Sequence, residues 1–431
     1  MNKILGKPKI LVVEVEPSGE CKKSGYKSFI ENGYQLFFLI AKEKYADMYA
    51  PNVRVVKDLT NDAFIKEAVE WNHEHHFDAV ATVTEFSVIA TSSIASKLGL
   101  RGISLQSALI CRNKYFMRNA HKDGSVRHPK YHLIENENDA VVFAEEVGFP
   151  LIVKPTLGGG SEHIYKVKNI EELINGYRKA KKGLTIHSQS FSEPGFSSKG
   201  PNGILVEEYL NGSEHSLEAW VWNGVVTIGA IGDRLSPEKN LFDNDIYTMP
   251  TRLSSEQIEE IRLLVESAAK AQGLWRCVLH PEIRYHNGLP YIVEMGCRAG
   301  GGPISHMTRE AYGYCAIKAT LDISCGRKPE QPSLQRTGKV VVAIAVICDG
   351  GKIEEIVVPN GKEYFKNIIY FKLFLGKGDI NYRPPHGNML LGQICASGNS
   401  LDEAFNAADI LNNKIKVRLS ELPVQENGLY A

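Results

Sequence analysis

The chain has no excess of charge: its 431 residues carry 50 Lys+Arg against 50 Asp+Glu. That balance gives no electrostatic footprint for nucleic acid or an anionic membrane surface, so neither is an expected partner and a small molecule is. No apolar run reaches the length needed to span a bilayer. At the start, Met1 to Gly6 holds one basic residue, and Pro8 and Lys9 interrupt any signal-like core. A cytoplasmic protein without a targeting segment is the expectation. The eight cysteines, scattered from Cys21 to Cys395, contain no CxxC pair, so reduced thiols are expected rather than a zinc site or a disulfide framework. Two nucleotide fingerprints are also missing. The turn after the first strand reads Glu16-Pro17-Ser18-Gly19-Glu20, not GxGxxG, and no GxxxxGK[ST] occurs. No sequence repeat is evident.

What is present is a folded-protein composition, 43% hydrophobic, on a chain too long for one ordinary core. Residues 9–15, Tyr34 to Ile40 and Phe77 to Val83 read as buried strands. Phe64, Ala68 and Trp71 share a helical face, and Ser87 to Leu98 reads as a helix closed by Gly99. Strands alternating with helices predict a doubly wound α/β unit over residues 1 to about 110. His73, His75 and His76 sit at a polar helix end, where a solvated histidine run is expected rather than a metal site.

The middle of the chain changes character. Residues 139–147 predict a helix ended by Gly148, Pro150 to Lys154 a strand, and Thr156 to Ser161 a glycine-rich loop. Ile164 to Val167 returns to strand, a helix starts near Glu171, and Ser188 to Gly203 reads as a mobile loop. Asn223-Gly224 is a type I′ hairpin signal, and Ser254 to Gln257 is a capping box for a helix that Gly273 closes. Towards the end, Val340 to Cys348 and Ile368 to Phe374 read as strands, and Ser400 to Glu403 caps a helix reaching about Val417.

Three features carry chemistry. Cys277 to His286 and Leu289 to Met295 form a hairpin bearing Glu282 and Glu294. A two-residue loop would set Glu282 against Val293; a three-residue loop, Asn287 to Leu289, pairs the two glutamates on one face. Adjacent carboxylates need a shared proton or a cation, and Mg²⁺ with phosphate oxygens suits them; two exposed hairpin glutamates are the alternative. Second, Lys154 ends a buried strand directly before Gly158, Gly159, Gly160 and Ser161, where lysine and backbone N–H groups can close over phosphates. A plain β-turn is the alternative. Third, Ile204 to Leu210, containing Glu207 and Glu208, is an apolar strand running into a hinge that suits a flat adenine; an ordinary strand is the alternative.

Taken in order, the lysine strand, glycine loop, Glu-Glu-Tyr-Leu hinge and paired glutamates resemble the ATP-grasp superfamily over about residues 1 to 325. The resemblance implies an ATP-grasp fold of mixed α/β and α+β class. A pre-ATP-grasp domain would occupy 1–110 and an ATP-grasp domain 111–325, with a small lid subdomain at about 148–207. A small C-terminal α+β subdomain would occupy 326–431. It implies that Lys114 and Lys154 hold the ATP phosphates under a loop of Gly158 to Ser161. Glu207, Glu208 and the backbone to Leu210 would take the adenine, and Glu214 the ribose. Glu282 and Glu294 would bind Mg²⁺, with Mn²⁺ as the alternative ion.

Within the superfamily, His280-Pro281-Glu282-Ile283-Arg284 and Tyr291 to Gly301 are similar to L-amino-acid ligases, which make dipeptides and dipeptide antibiotics. Many ATP-grasp enzymes carry Asn two residues after the second glutamate; here Gly296 stands there, as in that subgroup, while Arg298-Ala299-Gly300-Gly301 is kept. The resemblance implies an ATP-dependent carboxylate–amine ligase acting on amino-acid or other carboxylate substrates, and a homodimer. Arg298 would be its catalytic residue, orienting the carboxylate and stabilising an oxyanion; a structural ion pair is the alternative for it. Gly300, Gly301 and His306 would line the substrate site, with plain packing the alternative for His306. A purine-biosynthesis or carboxylase-type ligase is the competing enzyme reading, and a non-catalytic nucleotide-binding protein the competing class.

Overall fold

The structure, a computed structural model, describes residues 7–15, 26, 29–30, 33–41, 43, 46–49, 51–58, 60–158, 163–186, 203–235, 246–381 and 390–421. Among these residues no helix is long and apolar enough to cross a membrane.

The N-terminal unit is a parallel sheet of β1 (Lys9–Glu14), β2 (Gln35–Ile40), β3 (Val53–Val55) and β4 (Ala79–Ala81), in the order β3-β2-β1-β4. Its strands are apolar on both faces because both are covered. Leu11, Val13, Phe37 and Leu39 pack on Phe64, Ala68 and Trp71 of the helix Asn61–His75. Ile10, Val12, Phe38 and Ile40 join a core that includes Met307, Tyr312 and Leu321 from much later in the chain. Order reverses at β1, so the switch between β1 and β4 leaves a crevice at their carboxyl ends. The helix Val88–Leu98 ends as expected at Gly99, φ 65°. The histidine run is only partly solvated: His73 and His76 are exposed, but His75 lies against Phe37, 4.6 Å between ring centroids.

The next sheet is antiparallel: β5 (Tyr131–Ile134), β6 (Leu151–Pro155), β7 (Tyr165–Val167) and β8 (Ile204–Glu208), ordered β5-β8-β6-β7. Helices Glu137–Val147 and Ile170–Ile186 cover it through Ala140, Phe143, Leu173, Tyr177 and Ala180. The first of these starts at a capping box between Asn136 and Asp139 and stops at Gly148. The expected loop Ser188 to Gly203 lies outside the described residues except for Gly203 itself.

The body is an eight-stranded sheet. It contains β9 (Glu214–Trp222), β10 (Val225–Leu235), β11 (Ile246–Met249), β12 (Arg276–His286), β13 (Leu289–Gly296) and β14 (Val340–Val346). After β15 (Gly351–Val357) come β16 (Ile368–Leu373), β17 (Ile380–Asn381), β18 (Gly392–Gly398) and β19 (Lys416–Ser420). The order is β13-β12-β9-β10-β11-β14-β18-β16, so the sheet runs on across residue 326; β15, β17 and β19 form a separate three-stranded sheet. Helix Ser255–Ala271, capped by Ser254 and Gln257 as expected, covers one face against Leu217, Ala219, Leu279 and Ile283.

The last helix is shorter than its sequence predicts. It runs Leu401–Lys414, Ile415 is already extended (φ −72°, ψ 123°), and Val417 lies in β19 opposite Ile356. Alternating exposure along Lys416 to Ser420 fits a strand with one face on a core, and that pairing outweighs local helix propensity.

Candidate active site

The hairpin of β12 and β13 reaches the expected pairing by an unexpected route. Its loop has two residues, Asn287 and Gly288 (φ 50° and 80°), with His286 opposite Leu289. A type I′ turn alone would put Glu282 against Val293. The register shifts instead: Ile283 faces Ile292, Glu282 faces Glu294, and Val293 is the extra residue of a β-bulge. The three-residue loop expected from the sequence is therefore wrong, and the carboxylate pair it was meant to explain is present.

Arg118 braces the bulge. Fully buried, it donates from Nη2 to the Val293 carbonyl at 2.6 Å and from Nε and Nη2 to the Glu207 carboxylate at 2.7 and 3.1 Å. The other Glu207 partner is Lys154, whose Nζ lies 2.6 Å from Oε2. Burial pushes the Glu207 carboxyl up, but Arg118 and Lys154 outweigh it and hold the group below its ordinary value. Burial lowers the Lys154 ammonium, against the opposing pull of Glu207. Lys114 opens the helix Lys114–Asp123 after an Asn113 cap; its Nζ lies 3.3 Å from Glu294 Oε2 and 3.5 Å from the Gly158 carbonyl. The structure thus brings Lys114, Lys154, Gly158, Glu207, Glu282 and Glu294 together. Gly159, Gly160 and Ser161 lie outside the described residues.

Glu282 and Glu294 fit a divalent cation. Burial, and then the neighbouring Glu294 charge, raise the Glu282 carboxyl, and a cation between the two carboxylates would offset both. Among the described residues no three His, Cys, Asp or Glu side chains form a metal cage. Two carboxylates without a third protein ligand suit Mg²⁺, which favours phosphate oxygens and water in its other positions.

Glu214, close enough for its charge to raise the Glu282 carboxyl, is itself held by two arginines. Its oxygens accept from Arg234 at 2.5 Å and Arg284 at 2.8 Å, and Arg284 also donates to the Leu210 carbonyl at 2.8 Å. Both arginines hold the buried Glu214 carboxyl low against desolvation. Glu208, alternating with Glu207 along β8, turns outward to His286, 3.5 Å away.

Arg298 closes the other end. Its Nε donates to Glu85 Oε2 at 2.6 Å and Nη1 to the Ala299 carbonyl at 3.0 Å; Arg112 Nη1 donates to Glu85 Oε1 at 2.5 Å. Glu85 follows β4 at the switch-point crevice, with Ser87 held by the Val15 amide at 2.8 Å. Burial raises the Glu85 carboxyl, but Arg298 and Arg112 bring it down to about 2. Gly296 now has a reason: a Cβ there would lie 3.3 Å from Glu85 Oε2 and 3.6 Å from Arg298 Nε, so a larger side chain would crowd this pair. Gly301 is exposed with open space around it. His306, at the start of helix Ile304–Tyr312, stacks on Tyr370 (5.0 Å, 26°).

Sequence reasoning missed Glu85, Arg112, Arg118 and Glu218. A signal existed for Arg118, four residues after Lys114 on the same helical face, and for Glu218, four after Glu214 on the same strand face. Glu85 had none, since only the packing of the first unit on the body brings it to Arg298.

Residues 147–306 match the ATP-grasp domain family. The L-arginine-specific L-amino acid ligase of Bacillus subtilis is 24% identical over 360 residues, which are 79% of this chain and 81% of that protein. Alanine–anticapsin ligase of Bacillus subtilis strain 168 is 25% identical over 297 residues, 62% of each chain, so less than two thirds of that relative is spanned. The crystal structure of an L-amino acid ligase from Bacillus licheniformis superposes with a TM-score of 0.76 at 20% identity, covering 96% of this chain and 100% of that one. That likeness shows a shared fold.

Proposed function

We infer, for a chain that carries an ATP-grasp domain and the ATP-grasp fold, an ATP-dependent ligase that joins a carboxylate to an amine and forms a dipeptide or dipeptide-like amide. The observation that carries this reading is the bulge-made pair Glu282/Glu294 beside Lys114, within the cluster that also holds Lys154. Two cations for phosphate and two carboxylates for a metal suit phosphoryl transfer, and Arg298 suits the organic half of the reaction. The two amino-acid ligases among the relatives support that choice of substrate class.

On this reading Lys114 and Lys154 bind the phosphates, and the hinge from Glu207 to Leu210 borders the adenine. Mg²⁺, when bound by Glu282 and Glu294, supplies charge neutralisation for the phosphates. A substrate carboxylate oxygen attacks the γ-phosphorus and ADP leaves with the broken P–O bond's electrons. The amine nitrogen then attacks the acyl phosphate carbon, inorganic phosphate leaves, and the nitrogen loses a proton. Arg298 orients the carboxylate and stabilises the oxyanion of the second step. A water-poor cleft protects the acyl phosphate.

Phosphate release from ATP and Mg²⁺, screened against pairs of L-amino acids with mass spectrometry of the products, tests this reading. The expected result is release that requires two amino acids and yields their sum less one water. Release supported by a single carboxylate with a non-amino-acid acceptor, or ATP binding without release across the panel, overturns it.

A further inference from the structure

Glu218 is a buried carboxylate to which the roles above give no part. It lies on β9 with 1% of its surface exposed, and its Oε1 accepts two hydrogen bonds at once. The Gly300 amide donates at 2.7 Å and His280 Nδ1 at 2.6 Å. His280 Nδ1 also lies 3.0 Å from the Leu217 carbonyl. Both neighbours are acceptors, so this nitrogen carries a proton, which fixes the ring's orientation. The far nitrogen, Nε2, lies 3.9 Å from Glu282 Oε1. One oxygen atom therefore ties three segments together: central strand β9, the hairpin two residues before Glu282, and the glycine loop two residues after Arg298.

The close approach dictates the residue at 300. A Cβ on Gly300 would lie 2.5 Å from Glu218 Oε1 and 2.8 Å from His280 Cε1. Nor does Glu218 look like a group kept for stability. Its Oε2 is buried without a hydrogen-bond partner among the described residues. A half-satisfied buried carboxylate burdens a fold that an apolar side chain of similar volume would not.

We propose that Glu218 is a positioning residue for the ligase reaction. By gripping His280 and the Gly300 amide on one oxygen, it fixes the Glu282 carboxylate and the backbone beside Arg298 relative to each other. The proposal rests on the ligase reading and adds the part that holds its two halves in register. Outer residues of this kind act through the groups they orient, and their loss typically lowers activity or metal affinity by about 10–100-fold.

The variant to make is Glu218→Leu, which removes the acceptor for both donors at similar volume; Glu218→Gln, which keeps an acceptor, should restore most of the loss. In a folded variant, checked by its thermal melt, kcat for phosphate release falls by about tenfold or more while KM for ATP at saturating Mg²⁺ stays within about twofold. Gly300→Ala, which intrudes on the same oxygen, reproduces that split. A folded Glu218→Leu enzyme whose kcat matches the parent overturns the proposal, as does an equal loss in both parameters. A readout independent of the acceptor is the Mg²⁺ concentration needed to tighten binding of a non-hydrolysable ATP analogue, followed by calorimetry. That concentration rises in the variant if Glu218 positions Glu282, and an unchanged one overturns the proposal. Failure of the parent to make any amide would count against the ligase reading alone.

Discussion

The parallel sheet β1–β4 and the central antiparallel sheet both bury their strands, yet they present chemistry in different places. In the parallel sheet Ile10 and Val12 face one core and Leu11 and Val13 the other, so no face is left for polar groups. Its polar residues gather past the carboxyl ends, at Glu14, Thr82, Thr84 and Glu85. In the antiparallel sheet, Leu217, Ala219 and Val221 of β9 pack under a helix, while Glu214, Ser216 and Glu218 line the opposite face. That face turns apolar again at Trp220, which stacks on Tyr314 at 5.5 Å. A strand with apolar side chains on both faces can act only through its end; one that keeps polar side chains on one face can act along its length. Here the two modes meet, because Arg298 after the antiparallel hairpin finds Glu85 after the parallel strand.

Substitutions can break that contrast. The largest effect is expected on the open face: Glu282→Ala or Glu294→Ala should cut phosphate release by about 10²–10³-fold, with a melting temperature within about 4 °C of the parent. Normal turnover would remove the pair from the chemistry. At the junction, Arg298→Ala should abolish amide formation and leave ATP affinity within about threefold of the parent. It should also flatten the acid limb of stability. Glu85 titrates at about 2 in the fold, below the ordinary glutamate value of about 4.3. Its stabilisation is thus complete above the ordinary value and fades as pH falls towards the folded one. Chemical denaturation across that window should show a smaller slope in the variant; an unchanged slope would separate Arg298 from Glu85.

In the parallel sheet, Phe38→Ala should cost about 3–5 kcal/mol without altering kcat per folded molecule, measured by denaturation and active-fraction assay. The smallest effect is at the hairpin tip. Gly288 has φ 80° and open space where a Cβ would go, so Gly288→Ala should cost about 1–2 kcal/mol from backbone strain alone. Turnover should hold, since the bulge at Val293 rather than the turn sets the glutamates opposite each other; a large loss of activity would assign that role to the turn.

Much of this was legible in the chain. Unbroken apolar runs gave β1 and β2, capping residues gave the starts at Ser254 and Ser400, and Asn223-Gly224 and Asn287-Gly288 marked hairpins. The lysines and paired glutamates stood out because their order along the chain resembles the ATP-grasp superfamily, each feature alone having a plain structural alternative. The bulge was not legible, because Val293 is an ordinary strand residue and only Arg118 on its carbonyl shows why the register slips. Glu85 and Glu218 were hidden for a related reason: single carboxylates acquire meaning from partners 213 and 62 to 82 residues away. The continuation of the large sheet through β14, β18 and β16 is likewise a pairing choice among strands, beyond any local pattern.

On the proposed function, in which Lys114 takes a phosphate and Glu294 a metal, their contact has a consequence for how ligands arrive. Each ion is already the other's counter-ion, so the site behaves as a salt awaiting metathesis. A phosphate that takes Lys114 liberates Glu294, and a metal that takes Glu294 liberates Lys114. Metal and nucleotide each break the same pair, and whichever comes second finds its partner already released. Heterotropic cooperativity between Mg²⁺ and ATP follows from that exchange without any movement of the backbone.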